Sequence, residues 1–290
     1  MFNKIVIFGV GLIGGSVALA LKKLANPPQI IGVGRSEQSL QEALSLGLID
    51  QAVTDIASAL ENADLVLIAA PVAQTPAILR TIRPHLAAQT VITDAGSTKS
   101  DVMVYAQAEL GDQFNQFVGG HPIAGAEKSG PGAAMADLYI GKNVILTPAE
   151  TTSPQALQKV AALWQQCGAI VSNMRAQEHD SVFAAVSHLP HLLAFALVED
   201  LAKRDNAELL FKFAASGFRD FTRIAGSHPE MWRDIALANK QALLHELNMY
   251  QQAVTEMKTL LENNDDEGLF NLFEHASLAR NAWAKSKIQS

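Results

Sequence analysis

The sequence predicts an α/β chain, with a doubly wound, mostly parallel sheet over residues 1–172 and an all-helical domain over 173–290. Three observations predict it. Short β-branched runs alternate with amphipathic stretches through the first half, the pattern of a sheet covered by helices. Near residue 173 that alternation stops, and apolar residues recur at helical spacing over 231–261 and 268–285. With 290 residues, 49% hydrophobic and 18% charged, the chain is long and apolar enough for two domains with a substantial core.

Residues 5–8 read as the first buried strand and 12–24 as the helix after it. Lys4 and the apolar run behind it superficially resemble a secretion signal. However, Gly9, Gly11, Gly14 and Gly15 interrupt the run, and the sheet needs its first strand. A second strand covers 30–33, and Ser36 caps a helix ending near Gly47. Asp64 precedes a strand over 65–69, which Pro71 terminates. Further strands are expected at 91–93, 117–119 and 144–146, then a helix opening at Pro154 and a last strand at 169–172. In the helical half, Leu243, Leu244, Leu247, Tyr250, Val254, Met257, Leu260 and Leu261 form one apolar stripe, and 263–266 is a polar turn. The stripe leads us to expect a homodimer formed through the helical domain.

Lys plus Arg number 22 against 29 Asp plus Glu, a formal charge of −7, which argues against nucleic acid as a partner. No stretch beyond the first reads as the roughly 20 apolar residues of a membrane span, so no membrane partner is expected. The single cysteine, Cys167, has no partner in the chain for a disulfide and points to a reducing cytoplasm. It reads as a small buried hydrophobe.

Gly9-Val10-Gly11-Leu12-Ile13-Gly14 fits G-x-G-x-x-G between a strand and a helix, the dinucleotide fingerprint of a Rossmann-type fold. Gly9 serves the tight turn, Gly11 the approach of a pyrophosphate, and Gly14 the packing of helix on strand. Leu12 and Ile13 complete the turn, and Ala70 and Pro71 border the cofactor from a neighbouring strand end. The second strand ends in Arg35 and Ser36 rather than an acidic residue, which favours NADP over NAD, with use of both left open.

The reacting groups of such a fold lie outside the carboxyl ends of its strands. His121 follows a strand end, with glycines beside it to admit a ligand, and an imidazole with a pKa near 6.5 suits proton abstraction from a hydroxyl. His188 and His191 lie three apart, but Pro190 intervenes and no third ligand is evident, so no metal site is read there. His188 is taken as structural.

Gly-Val-Gly-Leu-Ile-Gly-Gly-Ser at 9–16, Asp-Ala-Gly-Ser-Thr-Lys at 94–99, Gly-Gly-His-Pro-Ile-Ala-Gly at 119–125, Ser-His-Leu-Pro-His at 187–191 and Gly-Phe-Arg-Asp-Phe-Thr-Arg-Ile-Ala at 217–225 span nearly the whole chain. On these motifs the chain resembles the prephenate/arogenate (cyclohexadienyl) dehydrogenases of tyrosine biosynthesis. The resemblance implies oxidative decarboxylation of a cyclohexadienol, with hydride passing to NAD(P). It implies that His121 accepts the hydroxyl proton, that Ser97 holds that hydroxyl and the imidazole, and that Arg223 clamps a substrate carboxylate. It places Arg219, His191, His179 and Asp180 near the substrate, and Glu127 as a gate pairing with Arg223. Prephenate and arogenate differ in a keto against an amino side chain, and no residue decides between them. The chain is expected to be monofunctional. A β-hydroxyacid-type dehydrogenase would carry a lysine early in the helical half, where this chain has His179 and Asp180. A non-catalytic dinucleotide sensor would not need His121, Ser97 and Arg223 together.

Overall fold

The structure, a computed structural model, describes residues 2–126 and 128–288. Among them one sheet contains β1 (Lys4–Phe8), β2 (Gln29–Val33), β3 (Gln51–Ala52), β4 (Leu65–Ile68), β5 (Val91–Asp94), β6 (Phe117–Pro122), β7 (Asn143–Thr147) and β8 (Ile170–Asn173), in the order β3-β2-β1-β4-β5-β6-β7-β8. Every neighbouring pair is parallel except β6 and β7. Chain order reverses between β1 and β4, and a crevice opens at the carboxyl ends of strands where that happens.

The central strands are apolar on both faces, as a covered parallel sheet requires. Ile5, Ile7, Leu65 and Leu67 feed one core, and Val6, Phe8, Val66 and Ile68 feed the other. Between the strands run α1 (Leu12–Lys22), α2 (Glu37–Ser45), α3 (Ile56–Leu60), α4 (Thr75–Ile82), α5 (Ser100–Leu110) and α6 (Pro154–Gln166). Val17 and Leu21 of α1 and Leu163 and Trp164 of α6 close the first core; Leu79 of α4 and Val102 of α5 close the second. Each such buried aliphatic side chain stabilises by roughly 1.5–3 kcal/mol.

After β8 the chain is helical: α7 (Ala176–Phe183), a π turn (Ala184–His188), α8 (Leu189–Ala202), α9 (Ala207–Lys212), α10 (Ser216–Thr222), α11 (Pro229–Ala238), α12 (Lys240–Glu262) and α13 (Asp266–Ile288). The described chain forms two compact units, Met1–Ala242 and Leu243–Ser290. In the second, Asp265 caps α13 by accepting the N–H of Gly268, and Tyr250, Val254, Leu261, Phe270, Phe273 and Trp283 are exposed.

Several expectations need correction. The first helix stops at Lys22, not at 24, and the sequence reading missed β3, whose two residues carry no periodicity. The stretch 231–261 is two helices that meet at Asn239, whose buried side chain turns inward to bond Asp180 and His188. Ala176–Ala202 is a continuous helical run that is long and apolar enough, by length and composition, to cross a membrane, contrary to the sequence reading. Its Asp180 is tied to backbone N–H groups at the start of α5.

Candidate active site

Gly9 adopts φ +91°, and a Cβ there would lie 2.6 Å from the carbonyl oxygen of Ala69. At Gly14 a Cβ would meet the Gly9 carbonyl oxygen at 2.4 Å. Both glycines are therefore demanded by the protein's own packing. Gly11 is not, because its φ of −100° suits any residue and a Cβ would meet nothing within 4 Å. The space beside Gly11 is room for something other than protein. It belongs to a cavity of about 1140 Å³ whose wall includes Gly9, Gly11, Leu12, Ile13, Arg35, Ser36, Ala70, Pro71 and Ser97. Of the cofactor residues read from sequence, only Gly14 is not in that wall. Ser36 also accepts the N–H of Ser39 as the cap of α2. The open face of Gly11 and the N–H groups of this turn fit a dinucleotide.

His121 lies at the end of β6 and is 9% exposed. Its Nδ1 is 2.8 Å from Nε2 of His179, whose Nδ1 is 2.8 Å from Oδ1 of Asp180. Asp180 in turn accepts the N–H of Lys99 and of Ser100, each at 2.8 Å. Burial pushes the Asp180 carboxyl up, but hydrogen bonds from His179, Ser100 and Lys99 outweigh it and hold the group below its ordinary range. An ionised carboxylate only accepts hydrogen bonds, so His179 carries its proton on Nδ1. Burial holds both imidazoles below 6.5, His121 well below, helped by the neighbouring His179 and Lys99, so both rings are neutral. Neutral His179 then accepts at Nε2, His121 donates from Nδ1, and Nε2 of His121 is left with its lone pair. The chain Asp180–His179–His121 thus selects the tautomer whose outer ring nitrogen is unprotonated.

Several assignments change. His179 and Asp180, expected at the substrate, lie behind His121, with His179 showing no exposed surface. The histidine's pKa is well below the unperturbed value, because burial strips water from the charged form. Gly119 and Gly120 serve strand packing rather than ligand approach: a Cβ would meet Thr147 Oγ1 at 2.4 Å or the Asp94 carbonyl oxygen at 2.7 Å. No hydrogen bond joins Ser97 to His121 among the described residues, and Ser97 instead faces the dinucleotide cavity. After Thr222 a 3-10 turn replaces α10, and Arg219 lies within the helix. Its side chain is 78% exposed, 3.7 Å from Asp220. Glu127 lies outside the described residues.

Arg223 opens that turn and is close enough to His191 to lower its pKa, after burial. His191 donates from Nδ1 to the Ser187 carbonyl at 2.8 Å and stacks on Trp232 at 3.7 Å. His188 is buried, accepts from the Asn239 side chain at 3.1 Å, and is pushed down to about 4 by burial. Cys167 is buried and its thiol is pushed up to about 12.

The sequence reading gave no role to Asp94, Lys99, Trp232 or Asn239. Asp94 accepts from Gly96 N–H at 2.8 Å and Gly120 N–H at 3.0 Å, and pairs with the fully buried ammonium of Lys99. The available signal for that pair was an aspartate at a strand end with a lysine five residues on, in a stretch expected beside the site.

Comparison with known proteins agrees with this geometry. The model of the prephenate dehydrogenase nucleotide-binding domain matches residues 17–173, and that of the prephenate dehydrogenase dimerization domain matches 175–275. A prephenate dehydrogenase of Bacillus subtilis is 41% identical over 95% of this chain and 75% of its own length. The Aquifex aeolicus prephenate dehydrogenase, solved in complex with hydroxyphenyl propionate and NAD+, is 37% identical with a TM-score of 0.91, covering 97% of this chain and 98% of that one. A Synechocystis arogenate dehydrogenase is 30% identical with a TM-score of 0.81, over 97% and 99%. Family models across both halves, joined to a glycine turn that leaves room for a dinucleotide, show that the chain belongs to the prephenate dehydrogenase family.

Proposed function

We propose that the chain oxidises and decarboxylates a cyclohexadienol, prephenate or arogenate, yielding 4-hydroxyphenylpyruvate or tyrosine, with NADP preferred to NAD. The observation that carries the reading is the directed chain Asp180–His179–His121, which ends in an unprotonated Nε2.

Bound in the cavity, the nicotinamide supplies the hydride acceptor. Gly9, Gly11, Leu12 and Ile13 hold the dinucleotide's phosphates, and Arg35 and Ser36 hold a 2′-phosphate. Nε2 of His121 takes the proton from the ring hydroxyl as the C–H electron pair leaves as hydride. Ser97 orients that hydroxyl by a hydrogen bond. Loss of the ring carboxylate as carbon dioxide returns its electron pair to the ring, and the resulting phenolate oxygen takes the proton back from His121 to become a phenol, leaving the imidazole neutral again. Arg223 holds a substrate carboxylate in a planar, two-pronged grip, with His191 beside it. Asp180 and His179 act through His121 by fixing its tautomer and ring orientation. The protein works in the cytoplasm as a homodimer built on its helical half, where apolar side chains of α12 and α13 are exposed.

The test is a set of initial rates crossing prephenate and arogenate with NAD+ and NADP+. Turnover of at least one substrate is expected, with kcat/KM higher for NADP+. Failure of all four combinations would overturn the activity, and an NAD+ preference would overturn the role of Arg35.

A further inference from the structure

The glycine turn presents a dinucleotide with backbone N–H groups alone. Gly9 to Ile13 carry no polar side chain, and the first turn of α1 has no charged residue. A dinucleotide brings two pyrophosphate charges to this cavity, in a chain whose own formal charge is −7. Among the described residues of the cavity wall, the lysine and arginine side chains are Arg35 and Lys128. Arg35 follows β2, at the ribose end of the site. Lys128 comes from the other side, on the segment between β6 and β7.

That segment is fastened over the start of α1. The N–H of Met135 donates to Ser16 Oγ at 2.9 Å, and Tyr139 donates its hydroxyl to the Ile13 carbonyl at 2.7 Å. Ala134 sits against Gly15, where a Cβ would approach to 2.9 Å. Lys128 borders both the dinucleotide cavity and the small hollow formed with Gly132, Ala134 and Met135. Its ammonium forms no ion pair among the described residues.

We infer that Lys128 is a dinucleotide-binding residue whose ammonium pairs with the pyrophosphate held on the Gly9–Ile13 turn. The inference rests on the reading of the cavity as a dinucleotide site. The lysine supplies the charge that the uncharged turn lacks, and its contact with a phosphate oxygen is a charge-assisted hydrogen bond. Being exposed, the pair weakens as salt rises.

The test uses the full chain without substrate, titrated with ADP-ribose and NAD+ by calorimetry at low and high ionic strength. Lys128→Met is expected to weaken both ligands about 5- to 20-fold and to flatten the salt dependence, whereas Lys128→Arg stays within about 3-fold of the parent. Matching melting temperatures establish that both variants fold. Unchanged ADP-ribose affinity in Lys128→Met would overturn the inference while leaving the dinucleotide reading intact. So would a loss confined to the KM of the carboxylate substrate at saturating cofactor, which would place the ammonium at the substrate instead. A parent protein that binds neither ADP-ribose nor NAD+ would overturn the dinucleotide reading, and this inference with it.

Discussion

The carboxylate of Asp180 accepts the backbone N–H of Lys99 at 2.8 Å, across 81 residues of sequence. The same oxygen receives the proton of His179 Nδ1, so one group anchors the loop that carries Ser97 and sets the tautomer of His121. Asp180→Asn keeps the size of the group but can present an N–H to His179 and reverse the chain. We expect kcat to fall by about 10²-fold or more while the dissociation constant for NAD+ changes less than about twofold. Stopped-flow turnover with a parallel cofactor titration measures both. Unimpaired turnover in a folded variant would remove Asp180 from the mechanism.

His121 is a base only when neutral. Because burial, His179 and Lys99 hold it well below 6.5, kcat/KM is expected to stay level as pH falls through 6.5 and to decline only at lower pH. His121→Asn should lose about 10²–10⁴-fold of turnover and keep cofactor affinity. An acid limb centred at or above pH 6.5 contradicts the buried, neutral imidazole.

Acid stability follows from the same burial. His188 titrates near 4 when folded and near 6.5 when unfolded, so between those values the unfolded chain binds more protons. Stability present at neutral pH is therefore lost as pH drops from 6.5 towards 4, by about 3 kcal/mol for this residue. His121 and His179 shift in the same direction and add to the slope. His188→Asn keeps an acceptor for Asn239 and should make unfolding free energy less pH-dependent between pH 7 and 4.5. Urea denaturation at several pH values checks it, and parallel slopes for parent and variant would refute it.

The three fingerprint glycines separate cleanly. Gly14→Ala drives a Cβ into the Gly9 carbonyl and should lower stability by about 1–3 kcal/mol. Gly11→Ala meets no protein atom, so its melting temperature should match the parent while dinucleotide affinity drops about tenfold or more. Differential scanning calorimetry paired with NAD+ titration discriminates them. A destabilised Gly11→Ala, or one that binds NAD+ normally, would deny that the open face belongs to the ligand.

The covered parallel sheet was legible in the sequence because short continuous apolar runs such as Ile5–Phe8 supply two cores at once, and position in the strand decides which. The glycine turn was legible for the same local reason. What escaped was non-local. Nothing along the chain announces that Asp180 reaches Lys99, or that Asn239 breaks a long apolar helix to bond the Asp180 carbonyl. The buried pair Asp94–Lys99 was hidden inside a motif read for its serine.

The backbone ladder between β5 and β6 joins Ile92 with Phe117 and Thr93 with Val118, and from Gly119 onward β6 pairs with β7. Where the two parallel strands part, the Asp94 carboxylate takes the N–H of Gly120 in place of a main-chain rung, with the Lys99 ammonium neutralising it. The fork in the sheet that makes room for chemistry is thus propped open by desolvated charge, an arrangement that apolar residues of like volume commonly outdo in stability. Selection for heat tolerance alone would favour exchanging both charges for packing, and the N–H groups of Gly96 and Gly120 would then lose their shared acceptor.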